Sequence, residues 1–297
     1  LKNILLTGSN GFLGSIIKNE FLKVDNIITL SRTKSDYNIL LEEKIPEFNE
    51  KFDLIIHAAG KAHTVPKTNE ERLQFHNVNV VGAQNLLKGL EKTAIPKMFI
   101  FISSVSVYGQ EFGIAIAEES GLNAKDAYGL SKIEAENLIW NWCKANNVIC
   151  TILRLPLLVG KNPPGNLGAM VRAIEKGYYF NIDGGKAKKS MVLVSDVAKL
   201  IPVVAAIGGI YNLTDGNNPS FSELSFAISK KKSFSLPLNL ARLIGRLGDI
   251  FGDRSPINSL KVNKITSDLT FDDSKAKKIL NWKPEPVLNY LKRENLN

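Results

Sequence analysis

Apolar residues set the first elements of the chain. Ile4, Leu5 and Leu6 form the short unbroken run expected of a buried parallel strand, and Phe12, Leu13, Ile16 and Ile17 then recur at helical spacing. Between them lie Gly8, Gly11 and Gly14, so the pattern predicts a strand, a glycine turn and a helix in series. Asn26 to Leu30 reads as a second strand, and Phe52 to His57 as a third that runs into Ala58-Ala59-Gly60. A helix is expected from about Val81 to Lys92, after Asn77 and Asn79. Met98 to Ile102 is a continuous apolar strand that gives way at once to hydroxyls, and the run from Asp126 to Trp140 is strongly helical. A further strand spans Val148 to Pro156. Strands alternating with helices in this way predict an α/β chain with a doubly wound parallel sheet.

After Pro163-Pro164-Gly165-Asn166 the alternation fades, which predicts a first domain over 1–160 and a smaller α+β unit over 161–297. Short strands at Met191 to Asp196 and Ile210 to Leu213 are expected to return to the first sheet or border it. Leu240, Leu243, Ile244, Leu247 and Phe251 make an amphipathic helix with Arg242 and Arg246 on its other side. The favoured reading is a lid or core element of the smaller unit; the alternative is a helix lying on a membrane surface.

Composition narrows the partners. The hydrophobic fraction is 44%, and no stretch approaches the roughly 18 uninterrupted apolar residues that a membrane span needs. The formal charge of +9 attracts phosphates, but the lysines are scattered outside Lys230-Lys231-Lys232, and no basic and aromatic residues interleave as an RNA-stacking surface requires. Nucleic acid is therefore not an expected partner. The sequence begins at Leu1, no secretory signal is evident, and Cys143 and Cys150 read as reduced thiols, so a cytoplasmic setting is expected.

The glycine turn carries the first chemical expectation. A helix N-terminus offers free N–H groups and the positive end of its dipole, so a strand, a Gly-rich turn and a helix in series cradle a diphosphate. The spacing Gly-x-x-Gly-x-x-Gly is one residue longer than the usual dinucleotide fingerprint. Where an acid at the end of the second strand would bind a ribose 2′-hydroxyl, Ser31 and Arg32 stand instead. A hydroxyl and a fixed cation suit a 2′-phosphate, which tilts the expectation from NAD toward NADP. Asp36 reads as a turn acid, with an adenine contact as the alternative.

The second expectation comes from hydroxyls at a strand end. Ser103-Ser104-Val105-Ser106-Val107-Tyr108-Gly109 follows the central strand at its carboxyl end, where open α/β sheets bind ligands. Tyr128 and Lys132 are four apart and share one helix face. A free tyrosine has a pKa near 10, and a neighbouring ammonium together with a cationic nicotinamide favours its phenolate. Tyr128 is then a base for a sugar or alcohol hydroxyl, with Ser104 hydrogen-bonded to the same oxygen. His57, His63 and His76 share no ligand spacing with the cysteines, so no metal is expected. A serine hydrolase built on Ser104 would lack Gly-x-Ser-x-Gly and leave the glycine turn unexplained.

Together these residues resemble the extended short-chain dehydrogenases/reductases, in particular the NAD-dependent epimerase/dehydratase group that acts on nucleotide sugars. The resemblance rests on Thr7 to Gly14, His57-Ala58-Ala59-Gly60, Asn79 to Gly82, Ser103 to Gly109, Tyr128-Gly129-Leu130-Ser131-Lys132, Asp272 to Lys275 and Leu280-Asn281-Trp282. It implies a Rossmann-type domain with Ser104, Tyr128 and Lys132 catalytic. The dinucleotide would be held by Gly8, Asn10, Gly11, Phe12, Leu13, Gly14, Ser31, Arg32, Ala58, Ala59, Gly60, Asn79 and Pro156, besides Tyr128 and Lys132.

By the same resemblance a UDP-sugar would meet Ser104, Ser106, Asn166 and Leu167, with Lys189 at its phosphates where relatives carry arginine. A homodimer formed through the helices near 81–92 and 128–144 is implied as well. Sugar 4,6-dehydratases of the group carry an Asp-Glu pair where this chain has Val105 and Ser106, which disfavours water elimination. What remains is 4-epimerisation of a UDP-hexose or UDP-N-acetylhexosamine, ranked ahead of an NADPH-dependent reductase of a UDP-4-keto-6-deoxy sugar in surface-polysaccharide synthesis. A non-catalytic dinucleotide-binding protein is the alternative of another class.

Overall fold

The computed structural model describes residues 3–22, 26–62, 64–250 and 258–294. In its first half, β1 (Asn3–Thr7), α1 (Phe12–Phe21), β2 (Asn26–Ser31), β3 (Tyr37–Asn38), β4 (Leu54–His57), α2 (Asn69–His76), α3 (Gly82–Thr93), β5 (Met98–Ser104), β6 (Gly113–Ile116), α4 (Ala127–Ala145) and β7 (Ile149–Leu155) follow one another. Then come β8 (Leu157–Val159), α5 (Gly165–Glu175), β9 (Asn181–Ile182), β10 (Met191–Leu193), α6 (Val194–Val204), β11 (Gly209–Asn212) and α7 (Phe221–Ser229). The chain ends with β12 (Ser235–Leu236), α8 (Leu238–Asp249), α9 (Ser259–Thr266), β13 (Leu269–Phe271), α10 (Ser274–Leu280) and α11 (Val287–Arg293).

Seven parallel strands form the main sheet in the order β11-β7-β5-β4-β1-β2-β3. Alternate strand residues feed opposite layers, as the period of two requires. Ile4 and Leu6 pack with Ile17, Val197, Ile201 and Trp282 on one face, and Leu5 packs with Leu86, Leu90 and Ile139 on the other. With both faces covered, the central strands lie fully buried, which explains their unbroken apolar runs.

The structure departs from the sequence expectations in three places. Residues 194–196 begin α6 instead of extending a strand, and β10 pairs with β8 in a separate two-stranded sheet; β11 is the strand that joins the main sheet. Helix α2 has no counterpart in the expected elements. It runs through a π-helical stretch, Asn77–Val81, into α3, so Asn77 and Asn79 lie within a helical run and do not merely precede it.

The third departure is α8, which is helical as expected but packs with its small residues. Ala241, Gly245 and Gly248 are buried, and a Cβ on Gly245 would sit 3.2 Å from the backbone of Ser259 in the neighbouring α9. Leu240, Leu243 and Leu247 stay exposed, so the apolar stripe is not a core face. Phe251 and His63 lie outside the described residues.

Candidate active site

At the carboxyl end of β1 the glycines are fixed by contact. Gly8 has φ +72°, and a Cβ there would lie 2.6 Å from the amide nitrogen of Ala59; on Gly14 it would lie 2.1 Å from the Gly8 carbonyl oxygen. Gly8 and Gly14 thus let two turns of backbone touch. Helix α1 begins at Gly11 with no side-chain cap and no acid in its first turn, which leaves its N–H groups and positive dipole end for an anion. These features fit the diphosphate of a dinucleotide.

Around the cradle, Thr7 Oγ1 accepts the Ala59 N–H at 3.2 Å and shares a 2.7 Å hydrogen bond with His57 Nδ1. His57 is 1% exposed and stacks on Phe101; burial, with the Lys132 charge nearby, lowers its pKa to about 3, so the ring is neutral. Ser31 Oγ reaches Ser9 Oγ at 3.0 Å, and Asn10 donates to the Thr33 carbonyl. Arg32 is exposed at the end of β2 and pairs with Glu42 at 2.8 Å. Asp36 closes its turn by accepting the Thr29 N–H and hydroxyl at 2.8 and 2.6 Å. Phe12 approaches Gly160, just beyond β8, and Pro156 is buried between β7 and β8.

Helix α4 carries the reactive groups. Asp126 caps it by accepting the Gly129 N–H at 3.0 Å, and Ser104 lies close enough to the Tyr128 hydroxyl to act on its ionisation. Ser104 Oγ also accepts the Ser106 N–H at 3.2 Å, capping the short 3₁₀ turn Val105–Tyr108. The Ser106 hydroxyl is buried without a hydrogen-bond partner, a polar atom left over at the strand end. One turn beyond Tyr128, Lys132 is 5% exposed; its ammonium donates to the Ile102 carbonyl at 2.8 Å and lies 4.5 Å from the Phe101 ring centroid.

Burial lowers Lys132 to a pKa of about 8, with Glu136 opposing. Tyr128 is raised above its ordinary value, first by burial, and the neighbouring Ser104 opposes the rise. The expected depression of Tyr128 by Lys132 is therefore not what the protein alone provides, because the ammonium is directed at Ile102 and Phe101.

Asn79 ties the pieces together. Its carboxamide accepts the Lys61 N–H at 2.7 Å and donates to Ser131 Oγ at 2.8 Å, linking the loop after β4 to α4. A Cβ on Gly60 would lie 3.1 Å from Asn79 Oδ1 and 3.4 Å from Lys132 Nζ, so Gly60, Asn79 and Lys132 form one wall.

The expected sugar-nucleotide residues are less unified. Lys189 donates to the carbonyls of Lys264 and Ser267 at 3.0 and 2.9 Å, at the carboxyl end of α9, and burial lowers its pKa to about 8. Asn166 is exposed in the first turn of α5, whereas the Leu167 side chain is buried in a cluster with Val159, Met170 and Leu193. Only its backbone is free to face a ligand.

Sequence reasoning missed the polar network behind the site. Arg154 of β7 donates to Glu136 of α4 at 2.8 Å, and Ser103 Oγ donates to the same carboxylate at 2.5 Å. Arg154 continues to Tyr108 at 3.1 Å, whose hydroxyl donates to Asn212 of β11 at 2.7 Å. Asn212 in turn donates to the carbonyls of Ile116 and Asp272. An arginine inside an apolar strand run was the available signal, since a charge there needs a buried partner.

The chain is similar to known proteins. A model of the NAD dependent epimerase/dehydratase family matches residues 4–213. The chain is 30% identical to a UDP-glucose 4-epimerase of Vibrio cholerae, over 97% of this chain and 92% of that protein. It is 27% identical to N-acetyl-alpha-D-glucosaminyl-diphospho-ditrans,octacis-undecaprenol 4-epimerase of Escherichia coli O157:H7, over 92% and 88%. In fold it is similar to RMD from Pseudomonas aeruginosa complexed with NADPH, with a TM-score of 0.74, 21% identity and coverage of 99% and 96%. With the family model spanning the glycine cradle, the strand-end serines and the Tyr128–Lys132 turn, this chain belongs to the NAD dependent epimerase/dehydratase family of enzymes.

Proposed function

We propose that the protein interconverts the C4 epimers of a UDP-linked hexose or N-acetylhexosamine through a 4-keto sugar. The observation that carries the reading is the grouping of Ser104, Tyr128 and the buried Lys132, with Ser104 acting to lower the Tyr128 pKa and Lys132 one helical turn on, together with an uncapped helix N-terminus at the glycine turn. The chemistry a bound dinucleotide supplies is reversible acceptance of hydride. Gly8, Gly11 and Gly14 with the first turn of α1 would hold its diphosphate, and Ser31 and Arg32 stand where its adenosine ribose would lie.

The protein's own part is proton handling. Tyr128 takes the proton of the sugar 4-hydroxyl as that carbon becomes a carbonyl, and Ser104 keeps a hydrogen bond to the same oxygen throughout. On return to the carbinol, Tyr128 gives the proton back. Burial raises the phenol pKa, so the neighbouring Ser104 and a cationic nicotinamide act against burial to make phenolate accessible. Lys132 contributes a fixed donor held in place by the Ile102 carbonyl. Lys189 exchanges the Lys264 and Ser267 carbonyls for the sugar-nucleotide diphosphate, with Ser106, Asn166 and the Leu167 backbone near the sugar.

A second reading, reduction of a UDP-4-keto-6-deoxy sugar by NADPH, is favoured by Ser31 and Arg32 at the end of β2. The cofactor that co-purifies separates the two. Tightly held NAD supports the epimerase, which regenerates its cofactor in place, and an exchangeable preference for NADPH supports the reductase. Homodimerisation, tested by light scattering, belongs to the same proposal and is supported by exposed Leu130 and Trp140 on α4.

Activity is tested by supplying purified protein and NAD or NADP with UDP-glucose, UDP-N-acetylglucosamine or a UDP-4-keto-6-deoxy sugar and separating the products. Because the E. coli relative is named for a sugar on diphospho-undecaprenol, that carrier is included. Tyr128→Phe is expected to lose turnover by about two to four orders of magnitude while retaining dinucleotide. Undiminished turnover in that variant overturns the assigned base, and no conversion of any substrate overturns the reading.

A further inference from the structure

Helix α8 presents its largest side chains outward. Leu240, Leu243, Leu247 and Ile250 are 46, 55, 57 and 77% exposed, while the residues facing α9 are Ala241, Gly245 and Gly248. At 100° per residue the four exposed side chains fall within an arc of about 80°, and Arg246 and Arg242 follow on its flank. Between Lys230 and Ile250 the sequence holds five basic residues, Lys230, Lys231, Lys232, Arg242 and Arg246, against the single acid Asp249, and of these the Lys230 ammonium is taken up by the carbonyls of Ala227, Leu291 and Lys292. Phe234, 72% exposed, precedes α8 in the chain, and Leu260, 58% exposed, lies in α9, which packs against it.

We propose that α8 lies flat on an anionic lipid bilayer, with the leucine ridge in the headgroup–acyl boundary and the flanking Arg242 and Arg246 at phosphate level. A ridge of aliphatic side chains bordered by cations is the chemistry of an in-plane interfacial helix. At 12 residues α8 is too short to span a bilayer. The charge selects this occupant over a second copy of the chain, because an isologous contact on the ridge sets one basic segment against another. Docking does not depend on the epimerase reading. It would bring to the membrane the helix pair whose α9 end is held by Lys189.

The full-length protein is mixed with phosphatidylcholine vesicles, with and without about 30% phosphatidylglycerol, and bound protein is measured by flotation. We expect binding to the anionic vesicles that weakens as salt rises. Leu243→Glu with Leu247→Glu, and separately Arg242→Gln with Arg246→Gln, should each lower it tenfold or more, with each arginine worth about fivefold. Turnover of a soluble substrate and Tm should be unchanged, since these side chains touch neither the active site nor the core. Wild-type protein that stays off anionic vesicles, or binding equal in wild type and both variants, overturns the proposal. So does a light-scattering mass that falls from dimer to monomer in the leucine variant, which would assign the ridge to a second copy. Vesicle binding by protein that converts no sugar nucleotide would leave docking standing and count against the catalytic reading alone.

Discussion

Arg154 and Glu136 meet at 2.8 Å with side chains only 4% and 3% exposed, joining β7, next to the edge strand of the sheet, to the helix that carries Tyr128 and Lys132. Each is the buried ion-pair partner of the other, and Glu136 also supports the charge of Lys132. Replacing one partner strands the other in the interior, at a cost of about 3–5 kcal/mol. Arg154→Met and Glu136→Gln should each lower Tm by about 6 °C or more in calorimetry, given roughly 2–4 °C per kcal/mol at this size. A Tm within a degree of wild type in both would show that the pair does not hold α4 in place.

Gly14 tests the cradle. Its Cβ position lies 2.1 Å from the Gly8 carbonyl oxygen, well inside van der Waals contact, so Gly14→Ala must push the first turn of α1 away from β1. Dinucleotide affinity should fall at least tenfold in isothermal titration, because the N–H groups that meet the diphosphate move with that turn. Unchanged affinity with unchanged Tm would mean that the turn is looser than its geometry indicates.

The parts that could be read from sequence are those where one physical demand admits few residues. Gly8 and Gly14 are required by backbone contact, the apolar run of β5 by burial on both faces, and Tyr128 with Lys132 by helical periodicity. Other features depend on tertiary partners that no local pattern contains. Helix α2 is rich in charged residues and buries only Phe75, so its apolar periodicity is faint; the Thr68 cap on the Glu71 N–H helps to define its start. In α8 the amphipathic pattern was visible, but it does not say which face packs, and glycines 245 and 248 with Ala241 allow an approach to α9 that the leucines do not. Only the family resemblance sets Lys189 at a phosphate, and the protein by itself turns it onto the end of α9.

His57 makes stability depend on acid. Its folded pKa is lowered to about 3 against an ordinary value of 6.5, first by burial and then by Lys132. Above pH 6.5 both folded and unfolded states hold it neutral, and its contribution is fully present. As pH falls below 6.5 the unfolded chain takes the proton and the folded chain does not, so stability is lost down toward pH 3, by at most about 1.4 kcal/mol per pH unit from this group. Urea unfolding of wild type and His57→Gln between pH 7 and 4 should give a shallower slope for the variant. Parallel slopes would place the acid sensitivity elsewhere.

Two lysines share a pKa near 8, and their proposed roles separate them. Lys132 and Lys189 are both lowered by burial, so each loses its positive charge as pH rises through about 8 in the free enzyme. Activity should therefore fall on the alkaline side in kcat/KM, which reports free-enzyme ionisations. If Lys189 binds the sugar-nucleotide diphosphate and does not act on the reacting carbon, Lys189→Arg keeps a cation at all accessible pH values and flattens the rise in KM above pH 8, with kcat little changed. Lys132→Gln should instead depress kcat at every pH, because the ammonium held by the Ile102 carbonyl is gone at all of them. A Lys189→Arg enzyme with the wild-type alkaline rise in KM would remove Lys189 from substrate binding. A Lys132→Gln enzyme with undiminished kcat would likewise remove Lys132 from the chemical step.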